Sequence, residues 1–513
     1  MAPQRCGRPK SWRKTVIVGA GPVGSLAALY AANRGDEVEV YEMRADLRDT
    51  TTTPLNFTKS INLALSERGI KALHGSGYDG LLDSIFATTI PMHGRMIHTK
   101  SRSGQFVEEA QAYDVHGRFQ RSVDRNELNR CLLNKLETMP NVTLHFQQKL
   151  TGADFKRKKA WFEDLKSAKA ETSSSRAVRA QELEVPFDLM IGADGAHSAV
   201  RFHMMKFARV NYTQDYIDCL WSEFTMKPDM LAKYPHGYRI SPNHLHIWPA
   251  GSSMFIALPS PGGTFICTLF GPVALFSQLE KACADNDNNA FVAVFDELFP
   301  GVTQHIPADE LVSEFKKNPH LPLINIKCTP HHFSSSAVIV GDSANAMVPF
   351  YGQGMNAGLE SVQVLFDIID RSKFAQSRSE AGFSQHGDEE IDWTDPEQCL
   401  AAALQEYTNI RTPDTYAIAD LALGNYAEMR SGVVNGGYKL RKWVEEKLDK
   451  WVPSLGWKTQ YARVSFGHER YSEVIEKARR QGTVLNAAFD VIGLGAVGGI
   501  AFYVWKYTRL GRS

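Results

Sequence analysis

The chain has 513 residues, with 57 basic and 57 acidic side chains and so no formal net charge, and 43% of it is hydrophobic. That balance leaves no electrostatic footprint for nucleic acid or an acidic partner surface, and the length accommodates about three domains or a discontinuous two-domain fold. Seven cysteines (Cys6, Cys131, Cys219, Cys267, Cys283, Cys328, Cys399), odd in number and without C-x-x-C spacing, argue against a disulfide framework and against a zinc site.

The N-terminal stretch through Lys14 is basic and has no apolar run ahead of the first strand, so no secretory signal is expected. Val16 to Val18 predicts a buried strand leading into T-V-I-V-G-A-G-P-V-G, where Gly19, Gly21 and Gly24 make a G-x-G-x-x-G pattern. In such a pattern the first glycine permits a tight turn, the second lets backbone approach a pyrophosphate, and the third lets helix pack closely on strand. Ser25 to Asn33 predicts the helix, its N-terminal N–H groups turned toward phosphate. A second strand, Glu37 to Tyr41, ends at Glu42, roughly 20 residues past the turn, where a carboxylate accepts hydrogen bonds from a ribose. The glycine pattern alone also fits an ordinary turn. Strand, helix, strand and acid in register point to dinucleotide binding.

Farther along, Ser60 to Gly75 and Arg125 to Met139 carry helical spacing of apolar positions, and Val142 to Phe146 alternates like a strand. Lys156 to Glu184 and Arg371 to Glu397 read as polar surface insertions. Between them, D-L-M-I-G-A-D-G predicts a buried strand ending at Asp194 and Gly195, and A-H-S-A-V-R opens a helix near Ser198 and Arg201. Asp194 then holds a ribose, orders the adjoining loop, or simply caps the turn. Segments L-H-I-W-P, M-F-I-A-L-P and T-F-I-C-T-L-F, within about Asp215 to Phe270, predict a second sheet inserted into the nucleotide domain. A-V-I-V-G-D is another buried strand, ending at Asp342.

One nucleotide site drawn from three distant segments implies FAD, held by a discontinuous domain. Asp342 is placed to bind a ribityl hydroxyl, and Gly352, Gly354 and Gly358 shape a loop into a helix whose first N–H groups, Gly354 to Asn356, face the flavin's pyrimidine edge. Phe350 packs either on a substrate ring or in the core. At the far end, Val484 to Trp505 is almost wholly apolar, and 22 residues at a helical rise span about 33 Å. Lys506, Arg509 and Arg512 follow, and Gly495 and Gly499 have helix-pairing spacing. Asp490 leaves only 15 uninterrupted residues, so a buried or interfacial helix is the alternative to a membrane span.

With these residues in view the chain resembles the class A flavoprotein aromatic hydroxylases, the group that includes para-hydroxybenzoate hydroxylase, and within it the members acting on L-kynurenine. The closer likeness rests on S-I-N-L-A-L-S from Ser60, I-P-M-H-G-R-M-I-H from Ile90, H-L-H-I-W-P from His244, P-F-Y-G-Q-G-M-N-A-G from Pro349 and N-Y-A-E-M-R from Asn425, which together span most of the sequence. The resemblance implies an α/β architecture: a Rossmann-like FAD-binding domain (12–75, 120–205, 325–370), an inserted mixed-sheet substrate domain (76–119, 206–324) and a C-terminal helical region (398–480). The expected membrane helix, 484–505, would be a mitochondrial outer-membrane tail anchor with the catalytic part facing the cytosol.

The same resemblance implies that Val23, Glu42, Arg44, Ala64, Arg125, Leu150, Ala199, Asp342, Met355 and Asn356 line FAD alongside the fingerprint glycines. Arg95 and Tyr113 fall where the substrate's amino-acid carboxylate binds, and Asn425 and Tyr461 on further substrate contacts. An arginine suits a carboxylate because its planar fork offers two parallel charge-assisted hydrogen bonds. Outside its motif, Arg95 would read as a solvated surface residue. Asn345 departs from the pattern, standing where relatives commonly carry histidine. The implied reaction uses NADPH and O2 to hydroxylate L-kynurenine beside its aromatic amine through a flavin C4a-hydroperoxide, with no metal and no nucleophile triad. No second glycine fingerprint marks the NADPH site, and neither the docking surface nor the oligomeric state is legible. A hydroxylase of another aromatic acid, or a noncatalytic, membrane-tethered flavin scaffold, stays open at this point.

Overall fold

The computed structural model describes residues 13–49, 62–101, 103–166, 182–380, 395–432 and 435–487. At its centre a six-stranded sheet runs in the order His332–Phe333, Ala337–Ile339, Leu189–Gly192, Lys14–Val18, Glu37–Glu42, Val142–Phe146. Every neighbouring pair is parallel except the hairpin between the first two. A central parallel strand is covered on both faces, which is why Val16 and Ile17 are fully buried and the sequence there is a continuous apolar run. The first helix, Pro22–Asn33, starts with proline at its first turn and packs against the helices Arg125–Glu137 and Gly354–Glu380.

Periodicity misleads at one place beside this sheet. Ser60 to Gly75 has helical spacing, yet Asn62–Leu65 is a strand pairing antiparallel with Gln120–Asp124, and only Glu67–His74 is helical. A four-residue segment with three apolar positions carries no decisive period, so the partner strand decides. The polar stretch from Lys156 is likewise more than surface. Lys159–Asp164 is a strand between Gln148–Asp154 and Glu182–Pro186, with Ala160 and Phe162 fully buried, while 167–181 lie outside the described residues. The other expected insertion begins inside helix Gly354–Glu380, which continues past Arg371.

The inserted sheet has seven strands, in the order Leu321–Thr329, Asn211–Met226, Thr264–Gly271, Ser253–Ser260, His244–Ala250, Gly94–Lys100, Phe106–Ala112. It is mixed because Gly94–Lys100 runs parallel to His244–Ala250. Helices Val273–Ala284, Asn288–Leu298 and Ala308–Lys317 cover it around a core containing Phe224, Phe255, Phe291, Phe295 and Phe315.

Helices Pro396–Arg430, Gly436–Trp451, Gln460–Phe466 and 471–487 follow in the last part of the described residues. They are fastened to the nucleotide domain by a charge cluster in which Arg68, Arg411 and Asp414 are buried and Arg470 is partly exposed. Glu360 of helix Gly354–Glu380 pairs with Arg68 at 2.7 Å and Arg411 at 2.9 Å, and Asp414 pairs with Arg470 at 3.0 Å. The apolar tail expected at 484–505 lies, from 488 onward, outside the described residues. Among the described residues no helix is long and apolar enough to cross a membrane, no group of side chains is arranged to hold a metal ion, and six cysteines are free.

Candidate active site

The three glycine- and acid-bearing segments meet at the ends of the central parallel strands. Gly19 has φ +101°, and a Cβ there would stand 2.5 Å from the Ala193 carbonyl oxygen; a Cβ on Gly24 would stand 1.9 Å from that of Gly19. Both are therefore demanded by packing. Gly21 is different, since a Cβ there would meet nothing within 4 Å. It leaves open space above the helix N-terminus, where N–H groups lack intrahelical partners and attract anions. Glu42 fixes this loop: Oε2 accepts from the Ala20 N–H and Oε1 from the Arg44 N–H, both at 2.9 Å.

The middle and last segments are clipped together through Ser343. Its Oγ accepts from the Gly195 N–H (3.0 Å) and donates to Asp194 Oδ1 (3.1 Å), and Arg201 Nη1 donates to its carbonyl (2.7 Å). Asp194 also accepts from Ser198 Oγ at 2.6 Å and from the Ala199 N–H at 2.7 Å. Of its possible roles, the one on view is ordering the loop, since those bonds occupy both oxygens. Asp342 is exposed to solvent, yet the protein packed around it desolvates its carboxyl and raises the pKa, a rise that the charge of Arg125 opposes. Arg125 begins a helix capped by Asp124, which accepts from the N–H groups of Asn126 and Glu127.

Asn356 is fully buried and its amide is spent on the protein. Oδ1 accepts from the Ser66 N–H at 2.9 Å, and Nδ2 donates to the carbonyls of Ala64 (2.7 Å) and Gly352 (2.9 Å). Only its backbone, with that of Met355, is left for a ligand at this helix start. Val23 packs beside Gly341 and Gly358, and Leu150 lies in the core between sheets. Asn345, the departure from the family pattern, is buried with both amide atoms unpartnered, as is Nε2 of Gln353. Open space at Gly21, an accessible carboxylate at Asp342 and unpaired amides at Asn345 and Gln353 fit a bound FAD.

Next to the turn Pro349–Tyr351 that leads into this helix lies a cavity of about 270 Å³. Arg95, Tyr113, Tyr351, Glu428, Tyr438 and Tyr461 are among its lining residues. Arg95 projects from the inserted sheet and is 5% exposed. Its Nη1 donates to Glu428 Oε1 at 3.0 Å, its guanidinium lies 4.6 Å from the Tyr461 ring centroid, and its Nε is buried with no partner. The Tyr461 ring stacks between Tyr113 at 5.3 Å and Tyr351 at 5.6 Å. Burial works against the Arg95 charge, but the phenol oxygens of Tyr461, Tyr438 and Tyr113 and the Glu428 carboxylate around it outweigh burial, so the guanidinium stays ionised. Burial also pushes the Tyr113 and Tyr351 phenols well above their ordinary value, leaving them neutral donors.

Arg95, Tyr113 and Tyr461 thus share one cavity. Asn425 does not line it: buried, it donates to the Phe350 carbonyl at 2.6 Å and so pins the Pro349–Tyr351 turn to helix Pro396–Arg430. Phe350 itself packs in the core, with its ring 4.2 Å from that of Tyr426 and 5.0 Å from that of Phe270. Sequence reading missed Glu428, Tyr351 and Tyr438. Glu428 sits in N-Y-A-E-M-R one helical turn from Asn425, a usable signal; Tyr438 had none.

Residues 13–237 match the FAD binding domain family. A kynurenine 3-monooxygenase of Chaetomium globosum is 57% identical over 483 residues, covering 94% of this chain and 97% of the relative. One of Neurospora crassa is 55% identical over 505 residues, covering 98% and 95%. The chain belongs to the kynurenine 3-monooxygenase family. Among solved structures it is similar in fold to Pseudomonas aeruginosa PqsL in complex with 2-aminobenzoylacetate, with TM-score 0.59 and 15% identity over 84% of this chain and all of that one. Klebsiella pneumoniae HpxO complexed with FAD and uric acid gives TM-score 0.55 and 17% identity, covering 87% and 97%.

Proposed function

We propose that the protein hydroxylates L-kynurenine to 3-hydroxy-L-kynurenine, with bound FAD and with NADPH and O2 as cosubstrates. The observation that carries this reading is a buried, charged Arg95 with an unpaired Nε, in a cavity that abuts the turn entering the flavin-side helix. FAD, once reduced by NADPH, supplies the oxygen chemistry. The protein's own residues bind and orient. Arg95 Nε takes the amino-acid carboxylate, Tyr113 and Tyr461 bring neutral phenols to the same end of the cavity, and Asn425 keeps the Pro349–Tyr351 turn in place between cavity and cofactor. Such positioning and exclusion of water are what a protein adds to cofactor chemistry. The aromatic amine already enriches the ring in electrons, so no protein base is assigned to it.

The test is NADPH oxidation by the FAD-loaded protein. L-Kynurenine should accelerate it, with 3-hydroxykynurenine as product. Acceleration only by other aromatic acids would move the assignment to a neighbouring hydroxylase, and bound FAD without turnover would make the protein a scaffold.

The reading extends to location. The apolar run at 484–505 with Lys506, Arg509 and Arg512 behind it supports a tail anchor in the mitochondrial outer membrane, with the catalytic part facing the cytosol. A chain ending at residue 487 should then leave the membrane fraction and keep its turnover; retention in that fraction would assign anchoring to another surface.

A further inference from the structure

We propose that Glu428 is a specificity residue that pairs with the α-ammonium of the substrate and thereby selects amino acids over other aromatic acids. The proposal rests on reading the Arg95 cavity as the kynurenine site. Two donors converge on one oxygen of this carboxylate: Arg95 Nη1 at 3.0 Å and Tyr438 Oη at 2.7 Å both reach Oε1. Oε2 has no partner among the described residues, and the side chain is 28% exposed where it lines the cavity. Glu428 is thus fixed by one oxygen and available at the other.

The pairing has a chemical logic. An α-amino acid carries a carboxylate and an ammonium on a single carbon, so its head group is a cation and an anion held side by side. Arg95 and Glu428 present the complementary pair, also side by side. A carboxylate arriving at the unpaired Nε leaves the Nη1 contact to Glu428 intact, so binding gains a charge-assisted hydrogen bond without breaking one. A carboxylate without an ammonium meets the same arginine but also the negative charge of Glu428 beside it, and like charges at close range disfavour binding. One residue therefore attracts the amino acid and repels its deaminated counterpart. The other carboxylate lining the cavity, Glu445, is engaged by Arg441 at 3.1 Å, which leaves Glu428 as the better placed.

The competing role is mechanical, in which Glu428 only holds Arg95 in place, and the Glu428→Gln variant separates the two. Glutamine keeps an oxygen for Arg95 and Tyr438 and loses the charge. Binding to the full-length, FAD-loaded protein is read from the change in flavin absorbance, without NADPH. The ligands are L-kynurenine and the deaminated analogue that retains its aromatic amine, ketone and carboxylate. In the variant, L-kynurenine should bind roughly tenfold to a hundredfold more weakly, the scale of a lost hydrogen bond to a charged group, while the analogue binds as well as before or better. Glu428→Asp, which restores the charge, should recover most of the preference for L-kynurenine. Equal weakening of both ligands, no weakening of either, or an aspartate variant as indifferent to the ammonium as the glutamine one would overturn the proposal while leaving the functional reading intact. Failure of the unaltered protein to bind L-kynurenine would overturn both.

Discussion

Arg95 shows how far one side chain's meaning depends on its surroundings. In sequence it is an arginine between Gly94 and Met96; in the fold it is a buried cation bonded to Glu428 and faced by Tyr461. Arg95→Ala should raise half-saturation for L-kynurenine by roughly tenfold to a hundredfold, since a hydrogen bond to a charged group contributes about 1.5–3 kcal/mol. FAD content should be unchanged, because the arginine lies outside the nucleotide loop; an unchanged half-saturation would remove Arg95 from the substrate site. The fingerprint glycines divide in a way their spacing does not reveal. Gly21→Ala has room in the polypeptide but puts a methyl where pyrophosphate would approach, so it should fold normally and bind FAD poorly. Gly24→Ala drives a Cβ into the Gly19 carbonyl and should destabilise the protein even before cofactor is added. Thermal unfolding with and without FAD checks both, and equal behaviour of the two variants would contradict the division.

Among elements, strands and helices with long, regular patterns were legible: Lys14–Val18, Glu37–Glu42, Val142–Phe146 and Arg125–Glu137 follow from apolar period and capping. Asn62–Leu65 was not, because its strand character comes from pairing with Gln120–Asp124 rather than from its own four residues. The cluster of Arg68, Glu360, Arg411, Asp414 and Arg470 was not legible either, since its members come from separate elements and Arg68 lies 292 residues from Glu360. Glu360→Gln would leave Arg68 and Arg411 without their shared carboxylate, and breaking a buried pair from one side costs about 3–5 kcal/mol. Urea unfolding should show that loss as a lower midpoint. A midpoint within error of the parent's would mean that Asp414, which lies 3.7 Å from Arg411, and backbone carbonyls suffice to compensate.

The whole molecule buries several histidines as neutral rings. Desolvation lowers the pKa of His98 to about 2, of His246 to about 3 and of His331 to about 4, the first two sharing a 2.7 Å hydrogen bond. Their folded values lie below the ordinary value of about 6.5, so the unfolded chain binds more protons as pH falls past that point. Stability from these rings is full above about pH 6.5 and declines progressively below it. The urea midpoint should therefore fall between about pH 7.5 and about pH 5.5, a window in which ordinary carboxylates stay ionised; a flat or rising midpoint would contradict neutral burial. As for legibility, the glycine turn, the acid after the second strand and the apolar strands ending at Asp194 and Asp342 announce a nucleotide site from sequence alone, because phosphate approach and strand burial impose local residue types. Local chemistry of that kind is written in adjacent residues. What only the tertiary structure decided is which side chains share a cavity: it brought Glu428 and Tyr438 to Arg95, turned Asn425 toward the Phe350 carbonyl instead, and committed Asp194 to its own loop. Those outcomes depend on how sheets and helices pack across long separations, and a buried charge takes its partner from whatever the packing places within reach.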